Sequence, residues 1–161
     1  MALVWRTADD VVMVHRLIEA SDRRAAALTG TTAPPRRQES TQRLVAAGQV
    51  QLGLVAGQPV VTVTVGPVPS FDPAEAGMPE ADEPWYMQRL AVAPDYPDGL
   101  VGFHAVRHAV QLAAAAGADA LRAEANPDLS AVLTMLTAVG FRRYRTHNSG
   151  RAPRTYLQLV L

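Results

Sequence analysis

Residues 85–93 read WYMQRLAVA, residues 94–102 PDYPDGLVG and residues 103–116 FHAVRHAVQLAAAA. An apolar strand-like run, a loop punctuated by proline and glycine, and a helix-forming stretch therefore follow one another directly. In the last of these Val101, Ala105, Ala109, Leu112 and Ala116 fall on one side at spacings of three and four, while His104, Arg107, His108 and Gln111 form a polar strip beside them. Phe103, Val106 and Val110 widen the apolar arc, as expected of a helix packed on a sheet and a neighbour at once. Gly117 is the expected stop. ALRAEA at 120–125 then reads as a strand, and 129–139 as a short helix closing on Gly140 and Phe141.

Outward from this stretch, residues 2–6 read as a first strand, and Asp9 and Asp10 stand where negative charge complements the exposed amides of a helix's first turn. Val11, Val14, Leu17 and Ile18 then give one buried helical face. A polar stretch at 29–35 leads to a second helix over 36–47, ended by Gly48. Val50, Leu52, Leu54 and Ala56 alternate with other residues, Gly57-Gln58-Pro59 reads as a turn, and 60–65 is a β-branched run, so the two are expected to pair as a hairpin. Residues 67–84 hold five prolines and five acidic residues and no basic one, which predicts an exposed connection. Residues 141–145 and 155–161 read as closing strands. The predicted order is β-α-α-β-β-β-α-β-α-β-β.

A chain of 161 residues is the length of one domain and can bury a real core, so a single domain over 1–161 is expected. The fifteen basic residues, all arginine, balance fifteen acidic ones, and no duplex nucleic acid or anionic membrane surface is expected as a main partner. With no cysteine, disulfides, thiolate zinc sites and cysteine nucleophiles are excluded. Residues 2–10 lack a basic segment followed by an apolar run, no stretch is long enough to cross a bilayer, and the expected compartment is the cytoplasm.

The order of elements over 85–141, with its loop at 97–102, resembles the acetyl-CoA-binding half of the GNAT N-acetyltransferase family. That resemblance implies an α+β fold, a mixed central sheet of about seven strands flanked by about four helices. It implies acetyl-CoA as co-substrate, lying in the splay after the fourth strand, and an amine of a small molecule or peptide as acceptor. Leu90, Ala91 and Val92 would present backbone groups to the pantetheine arm, and the amides of Asp98, Gly99, Leu100, Val101 and Gly102 would hold the pyrophosphate. The physical reason is general, because N–H groups converge at a helix start, the dipole there favours negative charge and glycine lets the backbone come close. The family pattern opens with Gln or Arg and has glycine fourth and glycine or alanine sixth, whereas here Pro97 and Leu100 fill the first two of these places and Gly102 alone agrees. Proline gives up a donor, and leucine adds bulk.

Asn126 resembles the asparagine that contacts the cofactor after the family's fifth strand. The tyrosine that protonates the departing thiolate in many relatives falls on Leu136, which cannot donate a proton. Its absence would slow the reaction by about 10²- to 10⁴-fold without forbidding it, and with Val132, Leu133 and Val139 this leucine also reads simply as core. Glu124 is the best-placed carboxylate for a general base, although a strand glutamate of this kind is more commonly solvated or paired with arginine. His104 and His108 stand one helical turn apart but share their face with Arg107 and Gln111 and no carboxylate, so no metal is expected. The acidic residues of 67–84 and a basic pole of Arg142, Arg143, Arg145, Arg151 and Arg154 could steer ligands or pair within a homodimer. Two alternatives stay open beside the acyltransferase: a non-catalytic binding or interaction module of the same fold, and an unrelated α+β protein that shares the element order.

Overall fold

The computed structural model describes residues 2–148 and 153–161; Arg151 of the expected basic pole lies outside them. Its elements are β1 (Val4–Thr7), α1 (Val11–Thr29), α2 (Gln38–Ala46), β2 (Val50–Val55), β3 (Gln58–Gly66), β4 (Pro84–Val92), α3 (Val101–Ala115), β5 (Ala120–Ala125), α4 (Ser130–Val139), β6 (Arg142–His147) and β7 (Arg154–Val160). The order is the one the sequence predicts. The strands form one seven-stranded mixed sheet in the order β1-β2-β3-β4-β5-β7-β6, in which β4 and β5 pair in parallel. The chain divides into two compact units, the first holding the described residues of 1–64 and 89–105, the second those of 65–88 and 106–161.

In the first unit, α1 begins where Asp10 accepts a hydrogen bond from the Met13 amide at 2.9 Å and ends at Gly30 in the left-handed region. Its apolar face places Val14 and Ile18 against Ala8, Val50, Leu52 and Ala91, with Met13, Leu17, Leu44, Val45 and Leu54 at the margin. Full burial of side chains such as Val14 and Ile18 contributes about 1.5–3 kcal/mol each, which is what fixes α1 to the sheet. The β2–β3 turn is Ala56-Gly57, with φ of 49° and 77°, one residue earlier than the sequence indicates. Two successive positive φ angles match the twist of the strands they join. Gly53, opposite both Trp5 and Val61, allows the three strands to approach closely: an added Cβ would stand 2.6 Å from Val61 Cγ1.

In the second unit, β5 pairs with β7 from Ala120↔Val160 to Ala125↔Thr155, and β6 pairs with β7 outside it. The segment between β3 and β4 is the largely exposed, irregular connection its composition predicts, and it is tethered to the sheet at several points. Asp119 accepts hydrogen bonds from the amides of Asp82 and Glu83, and Arg145 donates from its side chain to Glu75 O and from its backbone to Ala76 O. Ala76 is fully buried. Phe71 packs on Tyr86 and Tyr156 with ring centroids 5.4 Å and 4.8 Å away. Arg122, 4% exposed, donates to Gln158 Oε1 at 2.8 Å, Tyr86 Oη at 3.0 Å and Pro79 O at 2.8 Å, which ties the segment to the sheet. No helix is long and apolar enough to cross a membrane among the described residues.

Candidate functional site

The expected cofactor-binding residues of the first unit fall into two adjoining pieces of chain. The ladder between β4 and β5 registers Pro84–Met87 with Ala120–Ala123, and two residues past it Arg89 takes φ of 53°. A side chain with a Cβ in the left-handed region is costly and marks a place where the surroundings dictate the backbone. Leu90, Ala91 and Val92 follow. Ala91 is 2% exposed and part of the core, so only its backbone can face a ligand. The strand is then anchored by the Ala93 amide donating to Val60 O at 2.8 Å, and Arg24 donates to Pro94 O.

Asp98, Gly99, Leu100, Val101 and Gly102 together form the turn into α3. Within it the Tyr96 amide donates to Ala93 O, Leu100 to Asp98 Oδ1 at 2.9 Å, Val101 to Asp98 O and His104 to Leu100 O. Among the described residues the amides of Asp98, Gly99 and Gly102 stay outside these bonds. A Cβ at Gly99 would meet nothing within 4 Å. Leu100 is 62% exposed. The group that competes for the helix amino terminus is therefore the Asp98 carboxylate, which occupies one donor that a phosphate would use. The sequence shows an aspartate there; its inward turn is a structural fact.

A second feature of the first unit was not anticipated. Arg89 Nη1 donates to Thr41 Oγ1 at 3.1 Å, Thr41 Oγ1 lies 3.0 Å from His15 Nδ1, and His15 Nε2 lies 2.8 Å from Glu19 Oε1. With the imidazole hydrogen on Nε2, facing the carboxylate, the bonds run in one direction: Arg89 to Thr41, Thr41 to His15, His15 to Glu19. Thr41 is 1% exposed, and His15 is also buried. Burial holds the Arg89 guanidinium below the ordinary arginine value, Arg36 and Arg43 act in the same direction, and Asp22 opposes them. Arg36 is itself paired with Asp22 at 2.7 Å and 3.2 Å. The available sequence signals were a histidine beside the buried face of α1 and an arginine inside an apolar strand.

Glu124 and Asn126 belong to the second unit. Glu124 Oε1 accepts from Arg154 Nη1 at 2.7 Å, and Tyr156 is its register partner on β7. Burial first, then the Glu124 charge, pushes the Tyr156 phenol above its ordinary value. Asn126 Oδ1 accepts from the Asp128 amide at 2.9 Å and so shapes the turn after β5. Leu136, 2% exposed, is core on α4. Thr134 and Thr137 line a shallow depression with Leu133, Ala138 and Arg143. Among the described residues no group of three or more histidines or carboxylates is placed to hold a metal ion.

No protein-family model matches the sequence, and no curated protein matches it either. Solved structures do. A GNAT-family acetyltransferase from Streptococcus agalactiae superposes with a TM-score of 0.77 at 13% identity, covering 99% of this chain and 95% of the other. The polyamine N-acetyltransferase of Drosophila melanogaster, which forms N-acetylagmatine, gives 0.71 at 15% identity over 99% of this chain and 100% of its own. A chain of the NatC complex bound to Gag peptide and CoA gives 0.77 at 15% identity over 100% and 99%. With a seven-stranded sheet and four helices among the described residues and these likenesses along the whole chain, the protein has the fold of the GNAT N-acetyltransferases.

Proposed function

We propose that the chain is an N-acyltransferase that moves an acetyl group from acetyl-CoA to the amine of a small molecule or peptide. The observation that carries this reading is a succession within the first unit. A left-handed residue, Arg89, stands within β4, three strand residues follow, and a helix amino terminus with glycines at 99 and 102 comes next. Backbone groups of Leu90, Ala91 and Val92 would hold the pantetheine arm, and the amides of Asp98, Gly99 and Gly102 would face the pyrophosphate. Solved relatives of the same fold include an enzyme that forms N-acetylagmatine and a complex holding CoA and a peptide, which supports the choice of donor and acceptor.

In the reaction the amine nitrogen attacks the thioester carbonyl, the C–N bond forms and the C–S bond breaks. The nitrogen gives up a proton and the departing thiolate gains one. A strand amide stabilises the oxyanion. Glu124, paired with Arg154, is the base of this reading, and Asn126 its further contact to the cofactor. Residues 1–161 act as one domain in the cytoplasm, and the acidic 67–84 segment with Arg142 and Arg143 supplies opposite charges for a homodimer.

One observation favours a second reading, a non-catalytic module of the same fold: the Asp98 carboxylate sits on the helix terminus that a pyrophosphate would need. Thermal unfolding with acetyl-CoA separates the two, since ligand at a hundred times its dissociation constant adds about 2.7 kcal/mol. A shift, with thiol release from some member of an amine panel, is the outcome expected. Gly99→Glu, which adds charge where a side chain has open space, is expected to abolish the shift and leave the unliganded melting temperature unchanged. No shift at millimolar acetyl-CoA would leave the module.

A further inference from the structure

Arg89 has more binding capacity than the fold uses. Its guanidinium carries five N–H donors in a planar fork, and among the described residues one of them is engaged, on Thr41. No carboxylate stands within 4.0 Å of it among the described residues. Half-burying an arginine without a counter-ion is costly, and Arg36 and Arg43 nearby add to that cost rather than relieve it. The one aspartate in the neighbourhood, Asp22, is already held by two bonds from Arg36.

The side chain is nonetheless held in place. The contacts that run from Arg89 through Thr41 and His15 to Glu19 hold the Thr41 oxygen 3.1 Å from the guanidinium, and the buried positions of Thr41 and His15 fix them. The backbone beneath Arg89 lies in a region that a residue with a Cβ occupies only where its surroundings impose it. A fixed, half-buried cationic fork with unused donors is suited to a planar anion that accepts two parallel hydrogen bonds. Arg89 immediately precedes Leu90, Ala91 and Val92, the strand residues assigned to the pantetheine arm of the cofactor; the helix terminus assigned to the phosphates lies farther along the chain, beyond Pro94.

We infer that Arg89, oriented by Thr41, binds a carboxylate of the acceptor, so that the amine acetylated here belongs to an amino acid or a similar amino-carboxylate. The inference rests on the acyltransferase reading for the amine and on the first unit's own geometry for the carboxylate. Arg89 and Thr41 are then the residues that set acceptor specificity.

The test compares L-amino acids with their uncharged C-terminal amides as acceptors, and with the same compounds as ligands in the absence of acetyl-CoA. In the intact protein the free acids are expected to be the better acceptors and to raise the melting temperature on their own. Arg89→Met is expected to raise KM for the acids by about ten- to a hundredfold, the range for losing a hydrogen bond to a charged group. KM for the amides and the thermal shift with acetyl-CoA should stay unchanged. Arg89→Lys, which keeps the charge and loses the fork, should recover only part of the preference; Thr41→Val should weaken it without touching the charge. Equal KM values for acids and amides in the intact protein would overturn the inference, as would an acid preference that survives Arg89→Met. A KM rise that follows acetyl-CoA instead of the acceptor would also overturn it, by placing a cofactor phosphate on Arg89. If acetyl-CoA fails to bind at all, the acid-dependent thermal shift and its loss in Arg89→Met still decide the carboxylate site on their own.

Discussion

Asp98 and Gly53 show how much a single side chain, or its absence, decides here. The Asp98 carboxylate closes the start of α3 by accepting the Leu100 amide, and the same charge opposes any phosphate arriving at that terminus. Asp98→Asn keeps an oxygen for the amide and removes the charge, so acetyl-CoA is expected to bind several-fold more tightly with little loss of stability; titration calorimetry of both proteins checks this. Asp98→Ala, which loses the cap as well, should also cost about 1 kcal/mol of folding stability. Gly53 has the opposite role, leaving room between Trp5 and Val61. With Val61 Cγ1 2.6 Å from a built Cβ and Trp5 at 3.0 Å, Gly53→Ala is expected to destabilise by about 1–3 kcal/mol, read from the urea midpoint. Neither effect is legible in the residue letter alone. A glycine in a β-branched strand and an aspartate before a glycine each admit several conformations, and the neighbours that choose among them are distant in sequence.

At the scale of elements the sequence was legible where a repeat of apolar residues defines one face. Val11, Val14, Leu17 and Ile18 announce α1, and Val101, Ala105 and Ala109 announce α3, because burial at a spacing of three and four admits little else. The segment between β3 and β4 is the exposed connection its composition predicts, but its tethers are not legible there. Its prolines and acids do predict irregular chain, but they carry no sign of Asp119, Arg122 and Arg145, which hold it from far along the sequence. The hydrogen bond from the Asp82 amide, with help from that of Glu83, keeps the Asp119 carboxyl below the usual carboxylate range against the opposing effect of burial. A lowered folded value means that the stability it lends is complete above about pH 4, the ordinary aspartate value, and is lost as pH falls through the folded value. Proteolysis of residues 67–84 is therefore expected to accelerate on acidification in the intact protein, and to be fast and insensitive to this titration in Asp119→Asn.

For the whole molecule, the order and number of elements follow from the sequence, and likeness along nearly the full length to GNAT acetyltransferases agrees with the motifs at 85–141. The candidate site was only half legible. Leu90, Ala91, Val92 and the turn at 98–102 could be read as chain neighbours, whereas the chain joining Glu19, His15, Thr41 and Arg89 draws on three separate elements and exists only once they are packed. In the proposed complex, main-chain donors at the start of α3 gather the diphosphate of acetyl-CoA although Asp98 stands among them. Amide NMR spectra recorded during an acetyl-CoA titration test it most directly. Saturable shifts, largest at Gly99 and Gly102 and extending along Leu90, Ala91 and Val92, are the expected result; spectra unchanged at millimolar acetyl-CoA, or shifts confined elsewhere, would rule this binding mode out.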